Sequence, residues 1–276
     1  MPWLIILTIA ISIVIYGVFI EPNLLKKEYF ALDFKTLPDK FEGLKIAHIS
    51  DIHYSRPSRV LSKVIDVLHE EKPDITVITG DFLGHGAITN LEHILKEVVK
   101  HSNNVFAVLG NWDHKVKDSQ KFAEFINSTG IKLLINESKT IEREDEKIII
   151  AGVDDPYLNL DNLHETFRNV PEDIFVILLS HSPDVFYKAT NFNPSLILTG
   201  HTHGGQVLIP LLRKALYVPS IFGEKFLSGL YKIFGIYLYV NRGIGSSHLR
   251  VRFLSPPEIT IIKLQRKVRH EDARNL

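Results

Sequence analysis

Seven residues of this 276-residue chain have the types and spacing of metal ligands: Asp51, His53, Asp81, Asn111, His181, His201 and His203. Asp51 and His53 are one residue apart, Asp81 and Asn111 each follow a glycine, and His201 and His203 bracket Thr202. Three oxygen donors and four imidazoles exceed what one tetrahedral ion takes, but suit two adjacent divalent ions sharing one carboxylate. The chain has no cysteine, so disulfides, thiolate sites and a cysteine nucleophile are excluded. Imidazole and carboxylate ligation without sulfur favours Mn, Fe or Zn over Mg or Ca. Two such ions, about 3.5–4 Å apart, suit phosphoryl hydrolysis, where they clamp the attacking and leaving oxygens. Taken singly, each residue would pass for a cap or a hydrogen-bonded turn; together they mark five separate strand ends.

The elements that must position them alternate. Short apolar runs read as strands at Leu44–Ile49, Ile75–Thr79, Val105–Leu109, Lys147–Ala151, Val176–Leu179 and Leu196–Thr199. Between them, helical periodicity covers Arg59–Glu71, Leu91–Lys100, Gln120–Thr129 and Asp161–Asn169. This alternation predicts an α/β layered domain, with ligands bound beyond the carboxyl ends of the strands, where the seven side chains would converge. Glycine before Asp81, Asn111 and His201 allows the tight turns needed there. Tyr29–Phe34 alternates like a short strand, and Val207–Ile209, Ile236–Asn241 and Glu258–Leu264 predict added β structure. His48, inside a strand, reads as a core histidine or one lying behind the ligands. Asp154-Asp155-Pro156 reads as a turn, and His85, between two glycines, as a loop residue within reach of a substrate phosphate.

Lys plus Arg and Asp plus Glu both number 32, a balance that argues against a nucleic-acid partner. No nucleophile elbow, Walker loop or dinucleotide fingerprint occurs. At the start, Pro2–Ile20 contains no charged residue and as a helix would reach roughly 28 Å, about one bilayer core. Trp3 and Tyr16 lie near its ends, as interfacial aromatics do, and no small-residue cleavage site follows. The run therefore reads as a single-pass membrane anchor. Lys26, Lys27, Lys35 and Lys40 follow it, so positive-inside bias places the remainder on the cytoplasmic side of the cell membrane.

Asp51-Ile52-His53, Gly80-Asp81, Gly110-Asn111, His181 and Gly200-His201-Thr202-His203 resemble, in order, the motifs of calcineurin-like metallophosphoesterases. Gly200–Gln206, Gly243–Gly245 and Arg252-Phe253 with Pro257-Glu258-Ile259 resemble the membrane-associated bacterial phosphodiesterase branch. The resemblance implies a four-layer α-β-β-α sandwich with two central mixed β-sheets. It places Asp51, His53, Asp81 and His203 on one ion and Asp81, Asn111, His181 and His201 on the second, with a bridging hydroxide attacking phosphorus in line. The expected organisation is an anchor over 1–22, a linker with a short strand over 23–43, a metallophosphoesterase domain over 44–264 and a charged tail over 265–276. The expected activity is a metal-dependent phosphoesterase, a phosphodiesterase acting near the membrane on a lipid or nucleotide-linked lipid phosphoester. One departure stands out: Trp112 occupies the position where the family carries a catalytic histidine. Two expectations follow, that His114 takes over part of that role with Asp113 orienting it, or that catalysis has faded and the chain is a metal-binding scaffold.

Overall fold

A computed structural model describes residues 2–267 except 56, 85–87, 211 and 213. His85 and all but the first three residues of the expected charged tail lie outside the described residues. Two six-stranded mixed sheets form the centre. The first has the order β1 (Lys26–Phe34), β12 (Glu258–Arg266), β2 (Lys45–Ile49), β3 (Ile75–Thr79), β4 (Asn104–Val108) and β5 (Lys132–Leu133). The second runs β10 (Gly229–Ile233), β11 (Ile236–Val240), β9 (Leu196–Thr199), β8 (Val176–Leu179), β7 (Glu146–Gly152) and β6 (Glu137–Arg143).

The pleat assigns alternate residues to different layers. Ile148 and Ile150 of β7, with Ile177, Leu179, Leu196 and Leu198, face Ile46, Val77, Phe106 and Val108 between the sheets. Ile149, Ala151, Val176, Leu178 and Ile197 point outward, under Leu163, Phe186 and Ala189 of the short helices α5 (Leu163–Thr166) and α6 (Phe186–Ala189). On the other side, α2 (Arg59–Glu71), α3 (Ile88–Lys100) and α4 (Ser119–Ser128) pack Val64, Leu68, Leu91, Leu95 and Phe122 over Ala47, Ile49, Ile78 and Ala107. Helix, sheet, sheet, helix is the expected four-layer order. Ser58 and Asp118 start α2 and α4 by accepting the backbone N–H groups of Leu61 and Lys121.

The N-terminus is different. Helix α1 (Pro2–Ile15) buries none of its side chains, continues through a π turn at Tyr16–Ile20 and ends in a 3₁₀ turn at Glu21–Asn23. Pro2–Asn23 is long and apolar enough to cross a membrane. Its end is fastened to the body. The Gly17 carbonyl accepts from Arg252 N–H at 2.9 Å, and Glu21, 1 % exposed, accepts from Leu254 and Ser255 N–H at 2.9 and 2.5 Å.

Three segments depart from the sequence reading. Within residues 23–43 the strand expected at Tyr29–Phe34 is present and longer, Lys26–Phe34, paired in parallel along the whole of β12. The helix expected at Asp161–Asn169 is one turn, Leu163–Thr166; Asn162 caps it by accepting Glu165 N–H, but Pro171 steers the preceding residue away from helical backbone. Val207–Ile209 makes only isolated bridges, Val207 with Phe253 and Leu208 with Ala215.

Candidate metal centre

All five strand ends meet where the sequence placed them. Asp51 and His53 follow β2, Asp81 follows β3, Asn111 follows β4, His181 follows β8, and His201 and His203 follow β9. The site thus spans the tops of both sheets. Five of the seven have left-handed backbone: Asp51 at φ +49°, His53 at +42°, Asp81 at +54°, His201 at +71° and His203 at +53°. Such φ values are costly for residues with a side chain, and a cluster of them marks a functional site. Close approach also explains two glycines. A Cβ on Gly110 would overlap Asp81 Oδ1, and one on Gly200 would overlap Ser50 Oγ and Asp51 Oδ2.

Both carboxylates are held by one oxygen and leave the other facing inward. Asp51 Oδ2 accepts from Ser50 Oγ at 2.6 Å and from His201 N–H at 3.0 Å. Its Oδ1 has no hydrogen-bond partner and lies 3.4 Å from His203 Nε2. Asp81 Oδ1 accepts from Trp112 N–H at 2.8 Å, while Oδ2 faces His53 Nε2 at 3.3 Å and His181 Nε2 at 3.5 Å. His53 Nε2 stands 3.1 Å from His203 Nε2, and His201 Nδ1 stands 2.9 Å from His181 Nε2. Asn111 Oδ1 is 3.2 Å from His181 Nε2. With metal–nitrogen bonds of about 2.1 Å, ligand atoms around a tetrahedral or octahedral ion stand roughly 3.0–3.4 Å apart. The donors match that spacing, and Asp51 Oδ1 is an orphaned buried acceptor aimed into the gap. Divalent cations fit these residues. Two groups come close enough to hold one: Asp51, His53 and His203, and Asp51, Asp81 and His181. They share Asp51, while Asp81 Oδ2 faces a histidine of each.

The protonation pattern is that of a buried charged cluster. Burial pushes the Asp51 carboxyl up to about 6, against the pull of His181. Burial pushes His53 down to about 4 and His201 to about 3. For Asp81 burial acts upward, but the surrounding imidazoles, His181 first, overrule it and hold the carboxyl below its ordinary range. His181 is raised well above the usual imidazole value because Asp81 and Asp51 outweigh its own desolvation.

Asp113 does not touch His114. Its carboxylate accepts from Asp81, Phe82 and Gly110 N–H at 2.8, 2.9 and 2.9 Å, locking the β3 and β4 loops together. Burial and the neighbouring Asp81 push it up to about 7, against these bonds. His114 instead places Nε2 2.7 Å from Asp154 Oδ1, and the same oxygen accepts Asp155 N–H at 2.8 Å. Asp155 in turn holds Tyr157 and Leu158 N–H. His48 is buried with Nε2 2.9 Å from Thr79 Oγ1, behind the ligands.

A cleft of about 270 Å³ opens over the donors, lined by Asp81, Asn111, His201 and His203 below and by Trp112, Lys115, Tyr157, Leu158, Tyr217, Pro219, Ser247 and His248 around. His114 is not part of that lining. Trp112 packs edge-on against His53 and against His248, each at 5.2 Å, and Lys115 Nζ lies 4.2 Å over its ring. Sequence reading passed over His248 because the loop after β11 bears no strand-end motif. Its signal is in the backbone: φ is +47°, and Gln206 brackets it, Nε2 donating to the Ser247 and Leu249 carbonyls and Oε1 accepting Ser247 N–H. Arg252 begins the Arg252-Phe253 pair. Wholly buried, it donates to the Arg242, Gly243, Gly245 and Ser255 carbonyls and so shapes this loop.

Residues 44–205, which carry eight of the strands and all seven donors, match the model of the calcineurin-like phosphoesterase family. The chain belongs to that family. It is 31 % identical to the uncharacterized metallophosphoesterase YkuE of Bacillus subtilis (strain 168), over 91 % of this chain and 89 % of that one. It is 28 % identical to the UDP-2,3-diacylglucosamine pyrophosphatase LpxG of Chlamydia muridarum, over 88 % and 90 %. The phosphodiesterase YaeI of Escherichia coli (strain K12) is 28 % identical, over 82 % and 84 %. This calcineurin-like phosphoesterase is therefore a metal-dependent phosphoric ester hydrolase, and its two mixed sheets are those of its family.

Proposed function

We propose that this phosphoesterase hydrolyses a phosphodiester or pyrophosphate carried by a membrane-associated, lipid-linked substrate, using two divalent ions of the Mn, Fe or Zn type held by the seven donors. The observation that carries the reading is the orphaned Asp51 Oδ1 among paired imidazole nitrogens, 3.4 Å from His203, which lines the cleft. Ions there would supply Lewis-acid chemistry, neutralising phosphoryl charge and making water nucleophilic at neutral pH. Asp51, His53 and His203 form one set of ligands; Asn111, His181 and His201 form the other, with Asp81 between them. The remaining residues bind and orient. Lys115 offers a cation at the rim to the phosphate. Trp112 and Tyr157 present ring surface to whatever group the phosphorus carries. His248, over Trp112 and facing the cleft, supplies the hydrogen bond and proton that a leaving oxygen requires. His114 acts one step back, through Asp154 and the loop that carries Tyr157.

The UDP-linked lipid named for LpxG and the diester named for YaeI support this substrate class. Pro2–Asn23 would hold the enzyme in the cell membrane, with the basic residues after it favouring a cytoplasmic catalytic domain. The test uses the full chain in detergent, loaded with Mn, Fe or Zn, assayed on an aryl phosphodiester and an aryl monoester while bound metal is measured. Diester turnover with about two ions per chain is expected. Metal bound with neither ester cleaved would favour a non-catalytic metal-binding scaffold.

A further inference from the structure

We propose that the described residues of loops 207–221 and 246–254 rest on the bilayer surface beside the helix end, so that the metal cleft opens toward lipid. The inference builds on the proposed membrane anchor. Position comes first. One groove is walled by Tyr16, Glu21 and Leu24 of the N-terminal segment and by Leu208, Pro210 and Leu254 of the loops. The metal cleft is walled by other residues of the same loops, Tyr217, Pro219, Ser247 and His248. Helix end and cleft therefore adjoin the same two loops.

These loops expose several large apolar side chains. Leu216 is 68 % exposed, Tyr217 66 %, Ile221 75 % and Leu249 70 %. A grouping of this kind marks an interaction surface. The side chains are held out rather than left loose. Leu216 N–H donates to the Val207 carbonyl at 3.1 Å, and Leu208 N–H to the Phe253 carbonyl at 2.9 Å. Asp184 accepts from Ser220 Oγ at 2.6 Å and from Ile221 N–H at 3.2 Å.

Two arguments make the bilayer the occupant. The Gly17, Glu21 and Tyr16 contacts to residues 252–255 fasten the loops to the helix where it leaves the membrane, so the surface continues from the anchor without a flexible joint. Charge agrees: neither segment contains Asp or Glu, whereas Lys214 and Arg250 are exposed, which favours anionic headgroups. A lipid-linked phosphoester could then enter the cleft with its acyl chains still in the bilayer.

The absence of cysteine makes the test clean. Full-length Leu216→Cys, Ile221→Cys, Ile9→Cys and Asp145→Cys variants are labelled with an environment-sensitive fluorophore. They are reconstituted into phosphatidylcholine–phosphatidylglycerol vesicles with or without nitroxide on the upper acyl chain. Ile9 lies in the helix, and Asp145 in the β6–β7 turn at the opposite end of the sheet from the metal donors. Nitroxide should quench labels at 9, 216 and 221 about two-fold or more, a depth expected for interfacial contact, and leave 145 unchanged. Quenching at 9 with 216 and 221 behaving like 145 overturns the inference while the anchor stands. An unquenched label at 9 overturns the anchor, and the inference with it. Blue-shifted but unquenched labels at 216 and 221 would assign the face to a protein partner or a second copy, and also overturn it.

Discussion

Asp51 and Asp81 show how local bonding shapes a candidate ligand. In each, backbone or hydroxyl donors hold one oxygen and orient the other toward imidazole nitrogens. Asp81→Ala should abolish stoichiometric metal binding, read by elemental analysis, and lower diester turnover by about 10²-fold or more. Retained metal and turnover would remove Asp81 from the centre. Asp113 touches no other candidate ligand than Asp81, and there only the backbone, yet Asp113→Asn should weaken metal affinity or activity by about 10–100-fold, because its three N–H partners set the Asp81 and Asn111 loops. His248 and His114 are separable in the same assay. His248→Ala should lower kcat by about 10²-fold with metal content unchanged, the range for a lost proton donor. His114→Ala should act chiefly through KM, since the cleft wall moves and the donor stays. The reverse ranking would restore His114 to the phosphorus.

At the scale of elements, strand-end loops are joined by side chains from distant segments. The His114–Asp154 pair joins the turn after β4 to the loop after β7. The Asp154 hydrogen bond raises the His114 imidazole above its ordinary value, more than burial lowers it. The sign follows directly: a raised folded pKa gives stabilisation that is complete below about pH 6.5, the unfolded value, and disappears as pH climbs through the folded one. Wild type should therefore exceed His114→Ala in Tm by most near pH 6, and the gap should close on the alkaline side. A gap independent of pH would mean that packing, not charge, is lost. The joint below the N-terminal helix is a second case. Glu21→Ala leaves the Leu254 and Ser255 N–H groups without their acceptor and should cost about 1–3 kcal/mol, read as a lower Tm of the body.

For the molecule as a whole, the cleft needs both sheets. Asp51, Asp81 and Asn111 come from the first, while His181, His201 and His203 come from the second, so metal and sheet packing stabilise each other. Metal should raise Tm, since only the folded state assembles the site, and chelation should lower it; a Tm indifferent to metal would show that the donors do not bind it. The N-terminal helix buries nothing against the body. The full chain should accordingly stay with membranes through alkaline carbonate and high salt, and release by salt alone would contradict the anchor.

The layered order, most strand positions and the seven candidate donors that the fold brings together were legible in the sequence. Apolar, β-branched runs fix strands locally, and polar residues after them lie at the sheet's carboxyl edge whatever the details. The polar edge strand β6, the two-residue β5 and the short hairpin strand β10 were not legible. Their periodicity is weak, and neighbouring strands decide their pairing. The strand at Tyr29–Phe34 was legible, but its first three residues and its pairing with β12, over two hundred residues away, were not. Local sequence also suggested that Asp113 orients His114, because the two are adjacent. Backbone direction decided otherwise, turning Asp113 toward three buried N–H groups and His114 toward Asp154. The donors themselves were a property of the sequence. Which side chains face the space above them, His248 among them, was settled by tertiary structure alone, because a loop with no pattern of its own takes its path from Gln206, Arg252 and the strands it crosses.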